Sequence, residues 1–158
     1  MPEEPDFITD EAIFAGGLTL EGGSTLLMEI GGAEIEMNDC LIINDGELTI
    51  DNEGLVYLAI TNDCSLQEGQ SFTVVLSASN SEVLAGDDFI GKHVRSNALL
   101  TELRYTKLEG DEYGEYNGKY AITGILLENP NLMVPEPSTW ALLILGVTGL
   151  MYVRKRKN

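Results

Sequence analysis

Histidine is almost absent from this chain: His93 is the only one in 158 residues. A zinc site would have to combine it with Cys40, Cys64 and a carboxylate, and no usual ligand spacing is present. No nucleophile-elbow motif accompanies it either, so no hydrolytic triad can be read. Basic residues are scarce as well. Lysine and arginine total 9 against 26 aspartates and glutamates, for a net charge of −17. Four of those cations, Arg154, Lys155, Arg156 and Lys157, close the chain, and Glu136 is the only acid beyond residue 133. Residues 1–133 thus hold five cations and 25 anions, a net charge of −20. Such a body repels nucleic acid and anionic membrane surfaces, which excludes both as its partners. The start, Met1-Pro2-Glu3-Glu4-Pro5-Asp6, has no basic n-region and no apolar h-region after it, so it is not a secretory signal peptide. No enzyme activity, metal or cofactor is expected.

What is there folds as β. With 44% apolar residues the chain is not disordered by composition, and it has room for one domain and a tail. From Ala12 onward short apolar runs alternate with Gly, Asn and Asp. They are Ala12–Ala15, Leu18–Leu20, Thr25–Ile30, Cys40–Ile43, Glu47–Ile50, Leu55–Ile60 and Ser71–Ser77. Runs of this length, rich in β-branched residues and bounded by turn formers, read as strands. Helix is not competitive, because the glycines would break each candidate within two turns. Asp45-Gly46 signals a hairpin or a corner. Residues 81–97 read as loop, 98–107 as strand, 109–119 as a polar loop and 120–127 as a last strand. The expected order is a disordered segment at 1–11, a β-rich extracellular domain at 12–127, a linker at 128–138, and a transmembrane helix with basic tail at 139–158.

The β region carries an internal repeat. Leu18-Thr19-Leu20-Glu21 recurs as Leu48-Thr49-Ile50-Asp51, and at the same offset of thirty Leu26, Met28 and Ile30 fall on Val56, Leu58 and Ile60. A true repeat means units that stack, since one alone cannot bury its apolar face. Chance likeness among β-rich segments is the alternative.

The tail has three parts in order. Pro135, Glu136 and Pro137 make a stiff polar elbow, each proline fixing φ and Pro137 pushing Glu136 out of the α region. An uncharged run follows, with Trp140 at its head, then Leu142, Leu143, Ile144 and Leu145, then Val147, and Leu150, Met151, Tyr152 and Val153 at its end. The four cations close it. An apolar run ended by cations reads as a membrane anchor with the basic end cytoplasmic, and Trp140 and Tyr152 stand where interfacial aromatics belong. As a helix, Ser138 to Val153 rises roughly 24 Å against a hydrocarbon core of about 30 Å. Snorkelling by Arg154 and Lys155, or thinning of the bilayer, covers the difference.

Elbow, apolar helix and basic end in this register resemble the PEP-CTERM sorting signal of exported Gram-negative proteins. The resemblance implies recognition by a membrane exosortase, with Pro135, Glu136 and Pro137 as the motif, Trp140 to Val153 as a transient anchor and Arg154 to Lys157 as the stop-transfer block. It implies export, then release to the cell surface or extracellular matrix. Export needs a leader, so the expected explanation of the N-terminus is a misplaced start or a fragment of a longer protein, the alternative being insertion directed by the tail alone. Gly16–Leu26, Asn38–Ile43 and Gly69–Val75 are further similar to autotransporter-like, β-helical passenger regions, with a departure at Cys40. That likeness implies an all-β fold, either the end of a right-handed parallel β-helix or a small β-sandwich, without catalysis.

Two further groups of residues stand out. Cys40 and Cys64 lie in matching Asn-Asp-Cys contexts, which permit a disulfide in an exported chain; two buried small side chains are the alternative. Asp111 to Gly118 offers carboxylates without EF-hand spacing, and Tyr105, Tyr113, Tyr116 and Tyr120 near it suit either a sugar-stacking surface or a half-buried sheet. Two functions of different class follow. One is a structural or adhesive β protein sorted to the surface; the other is a membrane-anchored module that binds carbohydrate, such as an exopolysaccharide, or Ca²⁺.

Overall fold

The computed structural model describes residues 11–86 and 88–129. Three strands of one winding, β1 (Glu11–Ala15), β2 (Leu18–Leu20) and β3 (Thr25–Ile30), are followed by their counterparts β4 (Cys40–Asn44), β5 (Leu48–Ile50) and β6 (Leu55–Ile60). Each pairs with its counterpart in parallel: Glu11 with Cys40, Leu18 with Leu48, Leu26 with Val56, Ile30 with Ile60. The repeat of thirty residues is therefore the stacking register of the second and third pairs. In the first pair the register is 29 (Glu11 with Cys40), because two glycines turn the first corner where Asp45, Gly46 and Glu47 turn the second.

A third winding is looser. β7 (Ser71–Ser77) pairs in parallel with β4, and β8 (Val94–Ser96) with β6. Between them, where a third copy of β2 would stand, the chain forms two single-turn helices, α1 (Ser81–Ala85) and α2 (Phe89–His93). These correct the loop expected at 81–97. Their five-residue spans are too short for a helical period to emerge from the sequence. The remaining strands, β9 (Leu99–Lys107) and β10 (Tyr120–Glu128), are antiparallel. The sheets are β1-β4-β7-β10-β9, β2-β5 and β3-β6-β8, so the β-dominated expectation holds.

Alternation along the strands places the core on both sides of the five-stranded sheet. Leu41, Ile43, Phe72, Val74, Leu76, Ile122 and Leu126 face the interior with Met28, Ile30, Val56, Leu58 and Ile60. Cys40, Ile42, Val75 and Ala121 face the other way, under Leu108 and Tyr116. That second cover explains why β4 is an unbroken apolar run rather than an alternating one.

The corners depend on close backbone approach. Asp45 takes a left-handed conformation (φ 56°), and a Cβ on the adjacent Gly46 would stand 2.5 Å from the Gly17 nitrogen of the winding beside it. Asp51 ties successive corners together, its carboxylate accepting from the amides of Gly22 (2.7 Å), Glu53 (2.9 Å) and Gly54 (2.9 Å). The Gly22 amide, then that of Glu53, holds its pKa below the ordinary carboxylate value.

Where the third winding lacks backbone partners, asparagine amides replace them. Asn80 accepts from Leu48 N–H and donates to Leu48 C=O, both at 2.9 Å. Asn97 does the same for Ile60, at 2.9 and 3.2 Å. An amide side chain carries the same donor and acceptor as a peptide group, so each completes a strand with one residue.

Tyr105 locks α1 to β7 and β9. Its hydroxyl donates to Leu76 C=O (2.7 Å) and lies 2.7 Å from the Ser81 hydroxyl, which in turn accepts from Ala78 N–H (2.8 Å). Burial pushes the phenol up to about 12 from an ordinary 10.0. The folded state therefore keeps a proton that the unfolded state releases above pH 10, so the stability it contributes is complete below pH 10 and falls as pH rises toward 12. The expected loss is about 2 kcal/mol over that window, since the slope reaches its full value of about 1.4 kcal/mol per unit only between the two titrations. Urea unfolding of wild type and Tyr105→Phe across it checks this, the variant losing less stability.

Candidate functional site

The structure separates the cysteines. Cys40 is buried in the outer cluster of the five-stranded sheet, while Cys64, in the loop after β6, packs against the inner one. No disulfide joins them. The Cys64 Sγ accepts from Leu66 N–H (3.4 Å), and burial raises its pKa, which favours the thiol over the thiolate. The matching Asn-Asp-Cys contexts have different structural meanings. Asn38 is fully buried and saturated: its Oδ1 accepts from Gly31 N–H (2.9 Å) and Gly32 N–H (3.1 Å), and its Nδ2 donates to Glu34 C=O (3.1 Å) and Thr73 C=O (3.0 Å). Beside it, Asp39 accepts from Glu29 N–H (2.9 Å).

His93, at the end of α2, bonds through Nδ1 to Gly54 C=O (2.9 Å) and stacks obliquely on Phe89. That bond ties the third winding to the second corner of the winding below, a structural task. Among the described residues no three histidine, cysteine or carboxylate side chains gather as a metal-binding group.

The tyrosines do not make one platform. Tyr105 and Tyr116 are core residues, each 7% exposed, and Tyr105 packs between Phe89 and Tyr120 at ring separations of 4.7 and 5.7 Å. A stacking surface built on all four is thereby corrected. Burial overrides exposure at Tyr105 and Tyr116 because the segment 111–116, a 3-10 turn, folds down over the outer face of the sheet. Tyr113 stays half-buried at the rim of a cleft of about 570 Å³ between that turn and residues 33–36. Glu34, Glu36, Glu112 and Glu115 line it, with Ser71 and Thr73 from β7 at its floor. The sequence showed the acidic turn but not its partner, since residues 34 and 112 are brought together only by the sheet on whose outer face both segments pack.

The last described strand leads toward the tail. β10 ends at Glu128 and the described chain ends at Asn129, which is buried. The elbow, the anchor and the basic block lie outside the described residues, as do residues 1–10. Among those described, no helix is long and apolar enough to cross a membrane. None of the curated proteins matches the chain. Residues 134–157 match the PEP-CTERM protein-sorting motif. The match begins five residues after Asn129, so the domain and the sorting segment are consecutive and do not overlap. It supports a chain that is exported, sorted at the membrane and processed as an exosortase substrate.

Proposed function

We propose that this is a non-enzymatic surface or matrix protein, whose β domain is carried out of the cell, held briefly by its tail and released by an exosortase. Pro135, Glu136 and Pro137 are the recognition elbow, Trp140 to Val153 the transient anchor, and Arg154 to Lys157 the cytoplasmic stop. The observation that carries this reading is the sorting-motif match over residues 134–157, in register with elbow, apolar run and cations. We read the three windings as the end of a right-handed parallel β-helix, closed by the β9–β10 pair. What supports it is the parallel pairing of successive windings. A repetitive, strongly acidic, rigid stack suits a structural or adhesive task in a hydrated matrix.

The test is the mass of the mature C-terminus, after expression behind a signal peptide with and without an exosortase. Loss of mass near Pro135 to Pro137 is expected only with the enzyme present, and Glu136→Ala is expected to abolish it. A tail ending at Asn158 in both hosts would leave a plain anchor.

A second reading, a carbohydrate-binding module, draws support from the cleft beside Tyr113, where an aromatic ring, hydroxyls and carboxylates line one groove. It expects saturable polysaccharide binding that drops on Tyr113→Ala with the unfolding midpoint unchanged. Binding indifferent to Tyr113 would dismiss it.

A further inference from the structure

The strand that completes the main sheet is the last one among the described residues. β10 lies between β7 and β9, antiparallel to both, from Ala121 opposite Val75 and Thr106 to Ile125 opposite Ser71 and Thr101. Nothing else among the described strands pairs with β9. Without β10 the sheet is therefore β1-β4-β7 with an open edge, and β9 has no strand to lie against. The inserted strand also joins the two cores. Ala121, Ile122 and Leu126 are all 0% exposed, the first in the outer cluster, the other two in the inner one beside Phe72 and Val74. Further bonds latch both ends of the β7 side: Gly69 N–H to Leu126 C=O (2.7 Å), Leu126 N–H to Gln70 C=O (3.0 Å), and Tyr120 N–H to the Ser77 hydroxyl (3.1 Å).

Any process that delivers this chain from its N-terminus delivers β10 after everything that it must hold together. The sorting segment begins at residue 134, six residues beyond Glu128. Extended, that stretch spans roughly 20 Å, less than the thickness of a bilayer core. We infer that β10 is a closing strand that times folding to sorting: the exported domain stays open until the sorting segment has reached the membrane, and closes as that segment arrives. The device rests on the sorted-and-released reading for its purpose, but its structural basis is the strand order alone. It means that the processing enzyme meets a domain that has just closed, and that release after Asn129 removes no residue of the described sheet.

Stalled nascent chains of this protein, arrested during synthesis after graded numbers of residues, test this directly. Arrest points are chosen so that Lys107, Lys119 or Asn129 is the last residue outside the exit. Maleimide labelling of the buried Cys40 and resistance to a protease report closure. Protection is expected in one step, with labelling slowed by roughly three orders of magnitude, only when Asn129 is out. Ile122→Pro, which removes a ladder donor in the middle of β10, is expected to keep Cys40 labelling fast at every arrest point. A protected domain already present with Lys119 as the last residue outside, or protection of Cys40 in Ile122→Pro, would overturn the inference. No exosortase takes part, so a failure here is separate from a failure of the sorting reading, which the mass of the mature C-terminus decides.

Discussion

Replacing Asn38 by alanine is expected to cost about 4 kcal/mol, because one fully buried amide satisfies four backbone groups at once. An unsatisfied buried group costs about 1–3 kcal/mol. Gly31 N–H keeps a second acceptor in Met37 C=O (3.1 Å), so the sum falls short of four full penalties. Against a domain stability of roughly 5–15 kcal/mol this removes a large part of the whole. Asn38→Asp is expected to be no better. It keeps the acceptor for Gly31 and Gly32 but turns a second oxygen toward the carbonyls of Glu34 and Thr73, burying charge against two acceptors. Urea unfolding, with the midpoint falling and the slope unchanged, is the measurement. A loss under 1 kcal/mol in the alanine variant would mean that water replaces the amide.

Phe72→Ala is expected to cost a similar amount, about 3–5 kcal/mol. The ring is 1% exposed in the inner cluster, on a strand flanked by β4 and β10. It also occupies the space that Gly124 leaves: a Cβ there would stand 3.0 Å from the Phe72 Cζ and 2.8 Å from the Leu103 Cδ2. The surrounding β backbone is paired on both sides and cannot collapse into the vacated volume, which places the cost toward the upper end. Because Asn38 bonds to Thr73, the residue after Phe72, the two losses are expected to be non-additive in the double variant. A calorimetric Tm series on the two single variants and the double variant checks both claims. Additive losses would show that the Asn38 tether and the Phe72 ring stabilise β7 independently.

The strand order, the parallel windings and the asparagine brackets also account for what the sequence hid. The third winding departs from the period, Cys40 pairing with Val75 and Val56 with Val94, so no offset in the sequence reveals it. Asn80 and Asn97 look like ordinary loop residues. Their role depends on reaching backbone groups 32 and 37 residues away. The bulge in β9, where Glu102 sits at φ 52° opposite Gly124, likewise has no local signature, since glutamate seldom adopts that conformation.

The sequence by itself determined the β character, the boundaries of most strands and the sorting segment, and it offered the thirty-residue repeat with chance likeness as the alternative. These are local or strictly periodic properties: alternation, turn residues, and a proline elbow followed by an apolar run and cations. Only the tertiary structure decided that Tyr105 and Tyr116 are core, that Cys40 and Cys64 stand apart, that two acidic segments face one another across a cleft, and that the last described strand lies inside the main sheet. Each of those depends on which faces meet across tens of residues. Such meetings are set by the packing of the whole stack, and no single segment's pattern carries them.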